Sequence, residues 1–278
     1  MIGQAKRIEE LKKSLDDFDL KFVPQSNTPI ISFTSGKGGT GKSFLCINIA
    51  YKLSQLGKKV LVVDFDLNFS NLHIMLNIIP SKTLFQFFSS ESLLEELVYE
   101  YSQMLHFIFG FSGFESKRIT NNSISDFWNK LNSIMGNYDY VLIDTSSGGN
   151  DETLKVLSLT DCNIVIANPE PTATLDAYAI IKLTSISKMN NIKIVINKYF
   201  KKEDAEKSFE NLSKAVNHFL HKNISLLGSI PFDREISDSV MNQELYLKNH
   251  PSNDTSNKIN LVITEILKIK QLANNNHF

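Results

Sequence analysis

The sequence predicts a doubly wound α/β fold, a mostly parallel sheet with helices on both faces. Two observations carry this. Short apolar runs of strand length alternate along the chain with stretches whose apolar residues recur at helical spacing. Several of those runs end in an acid or an amide, which places polar groups at the sheet edge where such folds gather their sites. With 278 residues and 42% hydrophobic content, the chain can bury a core of that size in one domain.

In chain order, residues 29–34 read as a buried first strand and 44–53 as a helix that Gly57 stops. Residues 59–64 form an apolar run typical of a parallel strand covered on both faces. Helical patterns follow at 83–88 and 91–99, then a strand at 104–109. Over 123–135, Ile124, Phe127, Trp128, Leu131 and Ile134 share one helical stripe. Residues 138–144 read as a strand ending in an acid. Strands at 163–167, 192–196 and 225–230 complete the sheet, with helices over 174–189, 203–219 and 256–272. The Asn-rich end, 274–278, reads as a frayed tail. Residues 1–28 precede the first strand and form a separate extension; 29–278 form the domain.

Composition narrows the function. A net charge of −1 gives no global field to attract DNA or an anionic membrane. Cys46 and Cys162 have no paired spacing and read as reduced, buried thiols. His218 and His221 sit at helical spacing without a third ligand and suggest no metal. No run is long and apolar enough to span a bilayer, and the charged N-terminus lacks a signal-peptide core, so a cytoplasmic protein is expected.

The run Gly36-Lys-Gly-Gly-Thr-Gly-Lys-Ser43 fits the phosphate-loop pattern G-x-x-x-x-G-K-S/T in full, between a strand and a helix. Glycines let successive N–H groups curl toward phosphate oxygens, and the helix adds its positive end. Lys42 is placed to reach β- and γ-phosphates, and the Ser43 hydroxyl to coordinate Mg²⁺. Asp64, Asp66 and Asp144 end two strands beside this loop; acids there hold Mg²⁺ through water or orient an attacking water. Asn197, also at a strand end, offers an amide that can pair with an adenine edge. The Asp of a guanine-reading N-K-x-D signature is missing after Asn197-Lys198, which favours ATP over GTP.

The second lysine of the loop, Lys37, makes the sequence resemble the deviant Walker A ATPases, the group containing MinD, ParA and FlhG. The resemblance implies an ATP-bound homodimer in which Lys37 reaches the partner's phosphates. It implies nucleotide contacts from Gly38, Gly39, Thr40, Gly41, Lys42, Ser43 and Phe44. It assigns Asp66 and Asn71 to switch I, with Asp66 placing the catalytic water, and Asp144 and Gly148 to switch II, with Gly148 sensing the γ-phosphate. Ser43, Asp66 and Asp144 are then the Mg²⁺ candidates. Asn197, Pro231 and Asp233 fall where the family holds base and ribose. Asn68 stands where many relatives have Gly, and Ser146-Ser147 where Pro-Ala is common.

Within that family, residues 167–182, with Pro-Glu-Pro-Thr and Asp-Ala-Tyr, are similar to the FlhG version. FlhG proteins carry an N-terminal D-Q-A-x-x-L-R motif that stimulates an SRP-type GTPase, FlhF. Gln4, Ala5 and Ile8 echo it, while Gly3 and Glu9 replace its charged ends. The resemblance therefore implies an ATPase that sets flagellar placement or number, with an FlhF-like GTPase and flagellar basal-body components as partners. A MinD-type division-site regulator, a ParA-type DNA segregation ATPase and a nucleotide-gated scaffold without turnover are the alternatives. Ile259, Val262, Ile263, Ile266, Leu267 and Ile269 give the last helix a broad apolar face, open to two readings: a core helix on the sheet, or a peripheral lipid contact at the inner face of the cell membrane.

Overall fold

The computed structural model describes residues 26–67, 69–111, 120–185 and 191–275. The expectations for the N-terminal extension up to residue 25, for Asn68, for 186–190 of one helix and for the last three residues of the tail lie outside this set. Eight strands form one sheet: β1 (Ile30–Thr34), β2 (Val60–Phe65), β3 (Val98–Ser102), β4 (Leu105–Ile108), β5 (Tyr140–Thr145), β6 (Cys162–Ala167), β7 (Ile192–Tyr199) and β8 (Ser225–Pro231). Their spatial order is β3-β4-β2-β5-β1-β6-β7-β8. Every neighbouring pair is parallel except β3 with β4. The predicted doubly wound sheet is therefore present.

Alternate strand residues point to opposite faces, as the pleat requires. Ile31 and Phe33 of β1, Val60 and Val62 of β2, and Leu142 of β5 pack against α1 (Lys42–Gln55). On the other face, Leu61 and Val63 of β2 and Val141 and Ile143 of β5 meet Phe127, Trp128 and Leu131 of α4 (Asn121–Met135). Between these lie two short helices, α2 (Leu72–Met75) and α3 (Leu84–Phe88). Further along, α5 (Asp151–Ser158), α6 (Pro171–Thr184) and α7 (Lys202–Leu220) cover β6 and β7. The chain ends through α8 (Arg234–Met241), α9 (Tyr246–Asn249) and α10 (Asp254–Asn275).

Three expectations change. Residues 91–99 are not a helix: a 3₁₀ turn at Leu94–Leu97 leads into edge strand β3. Pairing with β4 decides it, since Val98, Tyr99 and Tyr101 suit a strand once a neighbour is available. The helices α5 and α8, which periodicity did not single out, are started by side-chain caps. Asn150 accepts from the Thr153 N–H at 2.7 Å, and Asp233 from the Glu235 N–H at 2.9 Å. Finally, the apolar face of α10 is core: Ile259, Val262, Ile263, Ile266 and Ile269 are buried against the sheet. Gly228 of β8 lets Val262 in so closely that a Cβ there would stand 2.6 Å from its methyl. That stripe is not open to lipid. No described helix is long and apolar enough to cross a membrane.

Candidate nucleotide site

The buried strand β1 delivers the chain to Ser35, whose hydroxyl donates to the Lys37 carbonyl at 2.9 Å and folds the loop back. Gly39 (φ 77°) and Gly41 (φ 93°) take left-handed conformations that disfavour a Cβ. α1 begins at Lys42, so its first-turn N–H groups have no partner inside the helix and face the loop's hollow. Gly38, Gly39, Thr40, Gly41, Lys42, Ser43 and Phe44 line a cleft of about 740 Å³ together with Asp66, Asn71, Asn197, Pro231 and Asp233. Residues from four separate segments, singled out by sequence, thus meet around one space.

The electrostatic centre lies on the cleft floor. Lys42 Nζ donates to Asp144 Oδ1 at 2.6 Å, and Ser43 Oγ to Asp144 Oδ2 at 2.6 Å. Burial alone would lower the Lys42 pKa; the Asp144 carboxylate more than offsets this, and the lysine ends raised and protonated. Asp64 is the register partner of Asp144 across β2 and β5 and is fully buried. Its carboxylate accepts from Ser70 Oγ at 2.6 Å and from the Leu72 N–H at 3.2 Å. Burial, reinforced by the Asp144 charge, pushes Asp64 up to about 7. Asp66, at the rim, accepts from Ser146 Oγ at 3.1 Å.

Other candidates sit differently from expectation. Lys37 Nζ forms an ion pair with Glu170 Oε2 at 2.7 Å, the lysine half-buried and the glutamate exposed. The Gly148 N–H, expected to meet a γ-phosphate, donates to the Ser35 carbonyl at 2.9 Å, with Gly148 at φ 86°. Asn197 Nδ2 donates to the Thr40 carbonyl at 2.7 Å, so the amide faces the loop. Asp233 caps α8 and accepts from the Tyr246 hydroxyl at 2.7 Å, which fixes α8 at the cleft wall. Sequence reasoning missed Glu170, Ser146, Lys198 and the apolar wall of Phe69, Met75, Ile236, Val240 and Met241. Ser146, Lys198 and Glu170 each stand inside a stretch already compared with the family, at 146–147, 197–198 and 167–182, and could have been found there; the apolar wall carries no motif.

The residues fit a magnesium-bound nucleotide. Gly38 and Gly39 have nothing within 4 Å of where a Cβ would stand, so the cradle is open. The Thr40 hydroxyl is buried with no protein partner.

Comparison with known proteins agrees. Residues 31–246 match the CobQ/CobB/MinD/ParA nucleotide binding domain. The chain belongs to that family. It is 30% identical over 267 residues to the flagellum site-determining protein YlxH of Helicobacter pylori, covering 94% of this chain and 89% of that one. It is 25% identical over 229 residues to the antiactivator FleN of Pseudomonas aeruginosa, 82% of each. Among solved structures, the septum site-determining protein MinD of Pyrococcus horikoshii, complexed with Mg-ADP, superposes with a TM-score of 0.73. That match covers 88% of this chain and 98% of the other at 23% identity, and speaks to the fold. The resemblance drawn from Lys37 and residues 167–182 is borne out at the level of family and relatives.

Proposed function

We propose that this protein is an ATP-hydrolysing switch that dimerises with ATP bound and regulates flagellar placement or number. The observation that carries the reading is the site itself, a complete phosphate loop with a second lysine, in a chain matching YlxH over 94% of its length. When bound, ATP supplies the phosphoryl group and Mg²⁺ neutralises its oxygens. The loop N–H groups and Lys42 would hold the phosphates, and Ser43, Asp66 and Asp144 the metal. Asp144 now neutralises Lys42 and engages Ser43, so it keeps both side chains preorganised at the loop. Asp66, steadied by Ser146, is the acid that orients the attacking water. Pro231 and Asp233 would mark the base end, where Asn197, its Nδ2 held on the Thr40 carbonyl, would offer Oδ1 to the adenine amino group. Lys37 exchanges Glu170 for the phosphates of the second chain. The protein works in the cytoplasm, with basal-body components as partners, and residues 1–28 dock on an FlhF-like GTPase.

The test is complementation in cells lacking the protein, with flagella counted by electron microscopy. Wild type restores the normal number. Lys42→Ala, whose purified form binds ATP at least roughly tenfold more weakly through loss of a charge-assisted contact, does not. Full restoration by Lys42→Ala would overturn the reading. A chain lacking residues 1–28 keeps nucleotide affinity but no longer raises the GTPase rate; an unchanged GTPase rate would remove the role given to that segment.

A further inference from the structure

Two neighbouring side chains at the end of β7 hold two neighbouring carbonyls of the phosphate loop. Asn197 Nδ2 donates to the Thr40 carbonyl, and Lys198 Nζ to the Gly39 carbonyl, each at 2.7 Å. In a trans peptide the C=O and the following N–H point to opposite sides. Fixing the Gly39 carbonyl toward β7 turns the Thr40 N–H away from it, and fixing the Thr40 carbonyl does the same for the Gly41 N–H. These are groups that a phosphate needs turned inward.

The chain carries local strain at this point. Lys198 sits at φ 62°, a left-handed conformation that strains a lysine backbone. The β7–β8 ladder skips it: Asn197 pairs with Ile230 and Tyr199 with Pro231, and the register shifts between them. Bulges of this kind re-aim a side chain beside functional sites. Gly41, at φ 93°, is shaped to the same contact, since a Cβ there would stand 2.3 Å from Asn197 Nδ2.

We propose that Lys198 is a positioning residue for nucleotide binding: its bulged, left-handed backbone aims the ammonium at the Gly39 carbonyl and holds the loop N–H groups toward phosphate. The inference rests on the nucleotide reading above and adds to it a residue that acts through the phosphate loop.

Strain and contact separate experimentally. Lys198→Met keeps the backbone strain and the stem but removes the ammonium. Lys198→Gly removes the ammonium and relieves the strain. Affinity for mant-ATP with Mg²⁺ is read by fluorescence titration, and stability by thermal unfolding without nucleotide. Both variants are expected to bind roughly tenfold more weakly, while Lys198→Gly melts at or above the wild-type temperature. Wild-type affinity in either variant would overturn the proposal. So would a Lys198→Gly protein whose weaker binding comes with a lower melting temperature, because the lysine would then serve the fold at large. Wild-type protein that binds no mant-ATP would sink the nucleotide reading and this inference together; normal wild-type binding with equally good variants would sink the inference alone.

Discussion

Asp64 and Asp144 face each other across β2 and β5, and Lys42 is bonded to Asp144. Asp64 is therefore the acid that takes up a proton, with a pKa raised by burial and by the Asp144 charge to about 7. The folded protein holds this proton more tightly than the unfolded chain does. Between about pH 4 and the folded value the native state binds more protons, so stability falls as pH rises, by at most about 1.4 kcal/mol per pH unit for one group. Urea unfolding of the nucleotide-free protein across that window is expected to show the decline, and Asp64→Asn to flatten it. An equal slope in the variant would show that another group titrates. The residue scale is also where sequence reading reached furthest. A contiguous motif fixed Gly36 to Ser43, because phosphate chemistry allows few residue types there. Asp64 read as a site acid, yet its burial and its pairing with Asp144 depend on strand register, which no local pattern announces.

At the scale of elements, α10 has the clearest consequence. Its apolar stripe is spent on the sheet, with Ile266 fully buried. Ile266→Ala is expected to destabilise the protein by about 2–5 kcal/mol, read as a lower urea midpoint at unchanged slope. An unchanged midpoint would mean that the helix is detachable and free for another surface. Strands and long helices were legible because buried parallel strands are continuous apolar runs and α4 and α7 keep a full stripe. β3 was not, since its identity comes from β4 across the turn. α5 and α8 were not, being eight residues each, too short for a period to show beside their caps.

At the scale of the whole molecule, Lys37 is held by an ion pair to Glu170 and lines no part of the cleft, which begins at Gly38. Asp66→Ala is expected to keep ATP but stop turnover, so light scattering with ATP records a trapped dimer. Lys37→Ala on that background returns it to monomer; a dimer indifferent to Lys37 would sink the sandwich arrangement. The strand order has a further consequence, for the life of the chain before it is finished. β1 pairs only with β5 and β6, and the phosphate loop it feeds is gripped by Asn197 and Lys198, 157 residues after Thr40 and 159 after Gly39. During synthesis the loop emerges early and waits, unsupported, until β7 has left the ribosome. Non-local closure of this kind is slow. A nascent chain thus gains its grip on nucleotide only after β7 has emerged, and one interrupted before residue 197 carries the motif without the site.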